Sequence, residues 1–465
     1  MSKRFRTCSL EQPFLLPPSL QEWLPEHHLA RFVADVVAQL DLSGIYAHYQ
    51  RQDGRGLAAY HPEMLTWLLL YAYAVGEPSS RRIEQATYDD VAFRYLAADQ
   101  HPDHDTIASF RQQHLESLGR LFVQTLRLCQ KAGLVKLGHV VIDGTKLEAN
   151  ASRRRSMSHA QLGEQERYGK EKVDEMLRRA AEVDETEDRR WGQGQPANPL
   201  PAERARAQSR LERLQQAKRE LEQEARQKLE QAERDPARRK PEPPRQSEEA
   251  RLRATQAEKQ KKRRYRARRQ AEGPQRAQNL TDPDSRRMRD NGRGSIVQGY
   301  NAQLAVDAQV QVIVAAQVTQ EGVDCGQLVP MMEHTAHNAG QPAEAVTADA
   351  GYWDTEAVQQ AIRTGVHVLV SPDGAGARQA GRWRHMANNP LAQRRRAELA
   401  TETGSALYRL RQAIVEPVIG QIKNVRGFRR FALRRLSGVR AEWRIICLTH
   451  NLLKLFRHAW RPAAA

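Results

Sequence analysis

The chain of 465 residues has very little cysteine and no long apolar run. Its four cysteines, Cys8, Cys129, Cys325 and Cys447, lie far apart and form no C-x-x-C pair. That argues against a zinc site and a disulfide framework, and fits a reducing compartment. No stretch reaches the roughly 18 apolar residues of a membrane span, and no apolar segment follows the basic start Met-Ser-Lys-Arg-Phe-Arg. The expectation is a soluble cytoplasmic protein with no membrane partner. Apolar residues make up 40%, low for one compact fold, so part of the length should be extended or solvated. Acid is scarce in one place above all. Between residues 394 and 461 sixteen Lys and Arg stand against four acids, Glu398, Glu402, Glu416 and Glu442.

What is abundant is positive charge. The net charge is +17 and the pI near 9.9, which favours a polyanionic partner. Residues 1–150 are near neutral (15 basic, 17 acidic), whereas 151–290 carry 37 against 26 and 291–465 carry 21 against 13. Basicity therefore belongs to the middle and the end of the chain. Glu416 stands in this basic field with Arg409 and Arg411 before it and Lys423 and Arg426 after it. A carboxylate kept there points to a task in a phosphate-binding surface, such as holding a metal ion.

Length suggests two or three structural units. Residues 20–50 and 61–131 read as helices. Pro62 suits a first turn, and Met64, Leu65, Leu68, Leu69 and Ala72 form a stripe at helical spacing. Asp105-Thr106 is placed to cap a helix over 107–130, with Phe110, Leu115, Leu118, Phe122 and Leu126 as its stripe. His101-Pro-Asp-His-Asp105 resembles a ligand cluster, but turn chemistry accounts for each of its residues. Such a helical region could read DNA through a recognition helix, although its charge singles none out.

At Gly133 the texture changes. Val140-Val-Ile142 is a β-branched run ending in Asp143-Gly144, read either as a strand delivering an acid or as the turn of a hairpin. Residues 151–290 are rich in Arg, Glu, Gln and Ala. Leu211, Leu214, Leu221 and Leu229 give helical spacing, 235–246 break any helix, and 259–269 form a dense basic run. This segment reads as an inserted helical hairpin or partial coiled coil with a flexible tip. Residues 297–306 and 310–318 alternate apolar and polar residues and predict a hairpin. A helix follows over 328–337, then a strand over 345–348 delivering Asp349. A helix over 355–363 is capped by Asp354, and a strand covers 366–370. The order predicts a mixed α/β sheet.

Asp143, Asp349 and Glu416 then stand out. Acids at the ends of neighbouring strands can face one crevice, as phosphodiester chemistry with two Mg²⁺ ions about 3.5–4 Å apart requires. Neighbouring cations would hold phosphates. Asp307, Glu321 and Asp324 could also approach such a site, although turn positions account for them. Trp353 could stack on a base, or be a packed loop aromatic. Trp443, Ile446, Leu448 and Leu452 read as core.

Several segments, in order, carry a family resemblance: Val141-Ile-Asp-Gly-Thr-Lys-Leu-Glu-Ala-Asn150, Thr281-Asp-Pro-Asp-Ser285, Gln298-Gly-Tyr-Asn-Ala-Gln303, Ala348-Asp-Ala-Gly-Tyr352 and Val415-Glu-Pro-Val-Ile-Gly-Gln-Ile-Lys423. Together with Tyr60-His-Pro-Glu-Met-Leu65 and Ser109-Phe-Arg-Gln-Gln-His114, they resemble bacterial insertion-sequence DDE transposases. The resemblance covers most of the chain. It implies an RNase H-like catalytic core over 133–150 and 291–465, interrupted by the basic insertion 151–290 and preceded by an all-α domain over 1–132. It further implies cleavage and strand transfer on terminal inverted-repeat and target DNA, and a site of Mg²⁺ or Mn²⁺, two ions in all. Asp143, Asp349 and Glu416 would be the triad, and Tyr408, Arg409, Arg411, Lys423 and Arg426 would contact DNA. Two DNA ends held together imply a homodimer.

The spacing departs from that family at one point. Tyr408 and Arg411 precede Glu416 by one residue more than its pattern has, while Glu416 to Lys423 agrees. On a continuous helix Arg409, seven residues before Glu416, shares its face better than Arg411. Pro417 either starts a new helix or kinks an existing one. A non-catalytic DNA-binding or oligomerisation protein, and a nuclease that cuts without joining, remain the alternatives.

Overall fold

Helices come first along the chain: α1 (Leu29–Val37), α2 (Ser43–Tyr49), α3 (Pro62–Val75), α4 (Ser80–Asp89), α5 (Val91–Leu96), α6 (His104–Gln113) and α7 (Leu115–Lys131). The computed structural model describes residues 19–49, 59–191, 202–234, 277–290, 294–373 and 389–459. The expected breaker segment 235–246 and the basic run 259–269 lie outside the described residues.

Helix α3 begins at Pro62, whose missing N–H costs nothing in a first turn, and ends at Gly76 in the left-handed conformation (φ 91°). Its expected stripe is buried, and so are Leu70, Tyr71, Tyr73 and Ala74, so α3 is a core helix covered nearly all round. The helix expected over 107–130 is instead two, divided at His114. That residue leaves helical geometry (φ −109°, ψ 19°) and is buried against Tyr49 and Phe110. The cap of α6 is Asp103, accepting from the Thr106 amide at 2.6 Å, and not Asp105. The His101–Asp105 group serves helix packing. His101 stacks on Tyr88, and His104 Nδ1 lies 2.7 Å from Glu84.

The sheet is built from β1 (His139–Glu148), β4 (Arg286–Asp290), β5 (Ser295–Asp307), β6 (Ile313–Thr319), β7 (Ala345–Ala348) and β8 (His367–Val370). Its order is β4-β5-β1-β7-β8, with β6 also on β5. β1 and β6 are antiparallel to β5, while β1–β7 and β7–β8 are parallel. The expected mixed sheet is present. Helices α10 (Leu328–Ala339) and α11 (Thr355–Arg363) make the crossovers, and α11 is capped by Asp354, which accepts from the Ala357 amide at 2.9 Å. After them come α12 (Pro390–Ala400), α13 (Glu402–Gly420), a π-helical turn (Gln421–Val425) and α14 (Arg435–Ala459). Trp443, Ile446, Leu448 and Leu452 of α14 are core, as read from spacing. Val140, Ile142, Val314, Val346, Val368 and Val370 anchor the core about the sheet.

Met1–Ala149 with Arg287–Ala465 form one compact unit and Asn150–Arg286 another, so the first helices share a unit with the sheet. In the second unit α8 (His159–Trp191) and α9 (Ala202–Arg234) form an antiparallel hairpin. Their facing pairs include His159 with Glu222 and Lys218 with Glu166, both at 3.0 Å. Leu162, Leu214, Ala217 and Leu221 make its small core. At its base the short strands β2 (Ser156–Met157) and β3 (Gln278–Asn279) pair antiparallel. Among the described residues no helix is long and apolar enough to cross a membrane.

Candidate active site

Parallel pairing between β1 and β7 runs from His139 opposite Ala345 to Ile142 opposite Ala348, and there it stops. The next residue on each strand is an aspartate, Asp143 and Asp349. Neighbouring parallel strands lie about 4.8 Å apart, so the register alone sets the two carboxylates side by side. Asp143-Gly144 is no hairpin turn. β1 continues against β5 with Asp143 opposite Leu304 and Gly144 opposite Gln303. β7 instead breaks into a 3₁₀ turn, Ala350–Tyr352, which Asp349 caps by accepting from the Gly351 amide at 2.8 Å. Asp143 accepts from the Gly144 amide at 2.8 Å.

Both carboxyl groups are held above their ordinary range. Burial pushes Asp143 up to about 7, Asp349 adds to the rise and Asp324 adds less. Its own Gly144 amide and Arg411 oppose the shift. Burial raises Asp349 as well, followed by the charge of Asp324, against the Gly351 amide, Arg411 and Lys146. The pair is short of positive charge. Its hard oxygen donors are those a divalent ion such as Mg²⁺ takes, so the residues present fit such an ion.

The cation beside the pair comes from α13. The Arg411 guanidinium lies 4.0 Å from Asp143 Oδ2, its Nε is buried without a hydrogen-bond partner, and its side chain is 15% exposed. Tyr408, one turn earlier, is half-buried, with the Arg411 guanidinium 5.4 Å from its ring centroid. Arg409 is exposed. Arg409 does share a face with Glu416, seven residues on along one helix, and both are exposed; it is Arg411 that faces the aspartates. The stripe that packs inward runs Arg411, Val415, Val418 at i, i+4, i+7, with Val415 and Val418 buried.

The same geometry places Glu416. Five residues after Arg411, it lies about 140° round the helix from it, and it is exposed. Among the described residues no group of three or more His, Cys, Asp or Glu side chains is close enough to hold a metal ion. The structure brings together two of the three expected acids and leaves Glu416 on the outer side of α13.

Pro417 neither starts nor ends a helix, since α13 runs through it. Proline has no N–H, so it cannot bond the carbonyl four residues earlier, that of Ala413. The Gln311 side-chain amide donates to that carbonyl at 3.2 Å instead. α13 then passes into the π-helical turn, which carries Lys423 half-buried.

Arg426, expected on the DNA-contacting surface, is buried at 5% exposure. It donates to Thr449 Oγ1 (2.7 Å), Ile446 O (3.0 Å), Gln421 Oε1 (3.1 Å) and Tyr73 O (3.4 Å). Its guanidinium is committed to internal acceptors that tie α3 to α14. Asp307 holds a turn, accepting from the Lys136 and Leu137 amides, and Glu321 is exposed. Trp353 is packed in the core at 7% exposure.

The spacing argument passed over Lys146, Asn301, Gln303 and Tyr352. Asp324 Oδ1 accepts from Asn301 Nδ2 and Gln303 Nε2, each at 2.7 Å, and from Lys146 Nζ at 3.3 Å. The Gln303 Oε1 accepts from the Tyr352 hydroxyl. Alternation along 297–306 suggested one solvated face, but β5 is buried from Val297 onward, and its polar residues Asn301 and Gln303 are fully buried. The signal in the sequence was that Lys146, Asn301, Gln303 and Tyr352 fall within the segments that carry the family resemblance.

Residues 18–113 match the model of a transposase domain (DUF772), and residues 270–452 match that of the transposase DDE domain. Asp349 and Glu416 fall inside the second match, while Asp143 lies between the two. No curated protein and no solved structure matches the chain.

Proposed function

The chain belongs to the insertion-sequence DDE transposases, and from that premise we propose that it binds the terminal inverted repeats of its element and catalyses their metal-dependent cleavage and transfer to target DNA. The observation that carries this reading is the register of β1 and β7, which sets Asp143 beside Asp349 in a half-buried pair whose charge Arg411 offsets only in part. The sheet order, with β5 antiparallel and β1, β7 and β8 parallel, supports an RNase H-like core formed by 133–150 and 291–465. In the same reading 1–132 engage the DNA end and 151–290 form an inserted basic arm.

Asp143 and Asp349 would hold Mg²⁺ or Mn²⁺, and the family resemblance makes Glu416, on the outer side of α13 here, the third carboxylate. Bound ions would activate the attacking oxygen and stabilise the leaving oxygen of a phosphoryl transfer, for which two are usual. The chain's own residues do the rest. The Gly144 and Gly351 amides each fix one carboxylate oxygen. Arg411 offsets part of the pair's charge and places a guanidinium at the edge of the site, where it can pair with a phosphate. Tyr408 covers Arg411 from solvent, and Arg409 and Lys423 offer further charge along the DNA. Arg426 keeps α3 against α14. Holding two ends together calls for a homodimer.

The test is cleavage of labelled DNA carrying the ends that flank the coding region, with and without Mg²⁺ or Mn²⁺. Wild type should cut only with metal, and Asp143→Asn, Asp349→Asn and Glu416→Gln should bind DNA without cutting. Cutting by the aspartate variants at the wild-type rate would remove the reading.

A further inference from the structure

We propose that Gln303 and Asp324 are positioning residues, a hydrogen-bonded brace that fixes the Asp349 turn against β1 and so sets the two aspartates at the spacing a divalent ion needs. The inference rests on the metal-site reading above.

The brace starts on β1. Lys146, three residues after Asp143, donates to Asp324 Oδ1 at 3.3 Å. The same oxygen accepts from Gln303 Nε2 at 2.7 Å, and the other end of that amide accepts from the Tyr352 hydroxyl. Tyr352 closes the turn that Asp349 caps, its amide bonded to the Asp349 carbonyl at 3.1 Å. A continuous chain of polar contacts thus runs from one aspartate-bearing segment to the other without using either aspartate side chain. Asp324 also lies against the turn, its Oδ2 3.7 Å from where a Cβ on Gly351 would stand.

Each member is over-determined, as a spacer must be. Gln303 and Tyr352 are fully buried, and the Gln303 carbonyl accepts from Trp443 Nε1 of α14 at 2.9 Å. Asn301 adds a second amide donor to Asp324 at 2.7 Å. Gly144 makes the room. A Cβ there would stand 2.6 Å from Asp324 Oδ1, so a side chain at 144 would displace the brace. Lys146 and two amides all donate to Asp324 Oδ1, which suits that oxygen to orient its neighbours. The need for a brace follows from the pair. Two half-buried carboxylates that repel each other would splay if their segments were free, and a displacement of a few tenths of an ångström matters to an octahedral ion. Polar contacts behind metal ligands commonly set affinity in this way.

Gln303 has a directed role, since its Nε2 donates to Asp324 while its Oε1 accepts from Tyr352. That permits a polarity swap. Gln303→Glu sets carboxylate against carboxylate, Asp324→Asn weakens the Lys146 contact, and the double variant restores a donor–acceptor pair and the original charge. The measurement is Mn²⁺ binding to the DNA-free chain by electron paramagnetic resonance titration, with single-turnover DNA cleavage beside it. Each single variant should bind Mn²⁺ about 10–100-fold more weakly, and the double variant should recover most of that loss. Tyr352→Phe keeps the ring in the core and breaks the chain at its far end. It should weaken Mn²⁺ binding as well, and it carries the test if Gln303→Glu does not fold.

Single variants that bind Mn²⁺ as wild type does, or a double variant no better than the weaker single, overturn the brace. Those results leave the metal site standing so long as Asp143→Asn abolishes binding. Wild-type chain that binds no Mn²⁺ sensitive to Asp143→Asn overturns both.

Discussion

Asp143 and Asp349 each stand one residue beyond the last parallel pair of their strands, Ile142 and Ala348. From there β1 goes on along β5 while β7 turns away. The sheet therefore ends on one side only, and its end is a pair of half-buried acids. Burial lifts both above the ordinary carboxylate range, helped by Asp349 at Asp143, which reaches about 7, and by Asp324 at Asp349.

That shift sets a pH-dependent stability. A carboxyl whose folded value lies above its unfolded one contributes stability that is complete below pH about 4 and is lost as pH rises through about 7. Asp143→Asn removes the charge and the loss. The metal-free variant should exceed wild type by about 2–4 kcal/mol at pH 8, with no difference at pH 4. Saturating Mn²⁺ should narrow or reverse the gap at pH 8, because only wild type retains both donors. Urea melts at the two pH values, with and without Mn²⁺, provide the check.

Arg411 and Arg409 are two residues apart and should behave differently. Arg411 opposes the rise of Asp143, so Arg411→Gln should move the Asp143 titration upward from about 7. Carbon-detected NMR of the carboxyl group reads this directly. Arg409 is exposed, and Arg409→Gln should leave that titration in place. It should instead weaken DNA binding evenly across sequences and lower the salt slope by about one.

Arg426→Met tests a residue expected on the DNA. Its guanidinium satisfies the carbonyls of Tyr73 and Ile446 and the hydroxyl of Thr449 in the interior. The substitution should cost about 3 kcal/mol through unpaired acceptors, while DNA affinity of the protein that remains folded stays unchanged. Denaturant melts and salt-dependent binding curves separate the two effects.

The contrast between Arg426 and Arg411 shows which features could be read in advance. A β-branched run followed by an acid is visible in one dimension, which is why Asp143 and Asp349 stood out before any register was known. The order along the chain of β1 and β5 to β8 was equally legible, because period-2 segments and capped helices alternate, whereas β2, β3 and β4 were not expected. Burial of a charge is not legible, since Arg426 sits in a basic run indistinguishable from a solvated face. Gln303 and Asn301 were hidden for the related reason that alternation marks which residues differ, not whether both faces are covered. The surplus residue between Arg411 and Glu416 was visible as a spacing. Its consequence, Glu416 turned to the outside of α13, needed the helix to be seen running unbroken through Pro417.

That unbroken run makes the last prediction. Pro417 leaves the Ala413 carbonyl without its helical donor, and Gln311 supplies one from the turn between β5 and β6. Gln311 is itself held, its carbonyl bonded to His450 and its Oε1 to Lys454, in a left-handed conformation (φ 64°). Gln311→Ala should therefore cost about 1 kcal/mol, part of it from the Lys454 contact. Pro417→Ala restores an N–H four residues from Ala413 and makes the Gln311 donor redundant. In a double-mutant cycle the cost of Gln311→Ala should fall by about half or more in the Pro417→Ala background, a coupling of about 0.5–1 kcal/mol. Equal costs in both backgrounds would show that Gln311 acts through Lys454 alone and that α13 crosses its proline without help from the turn.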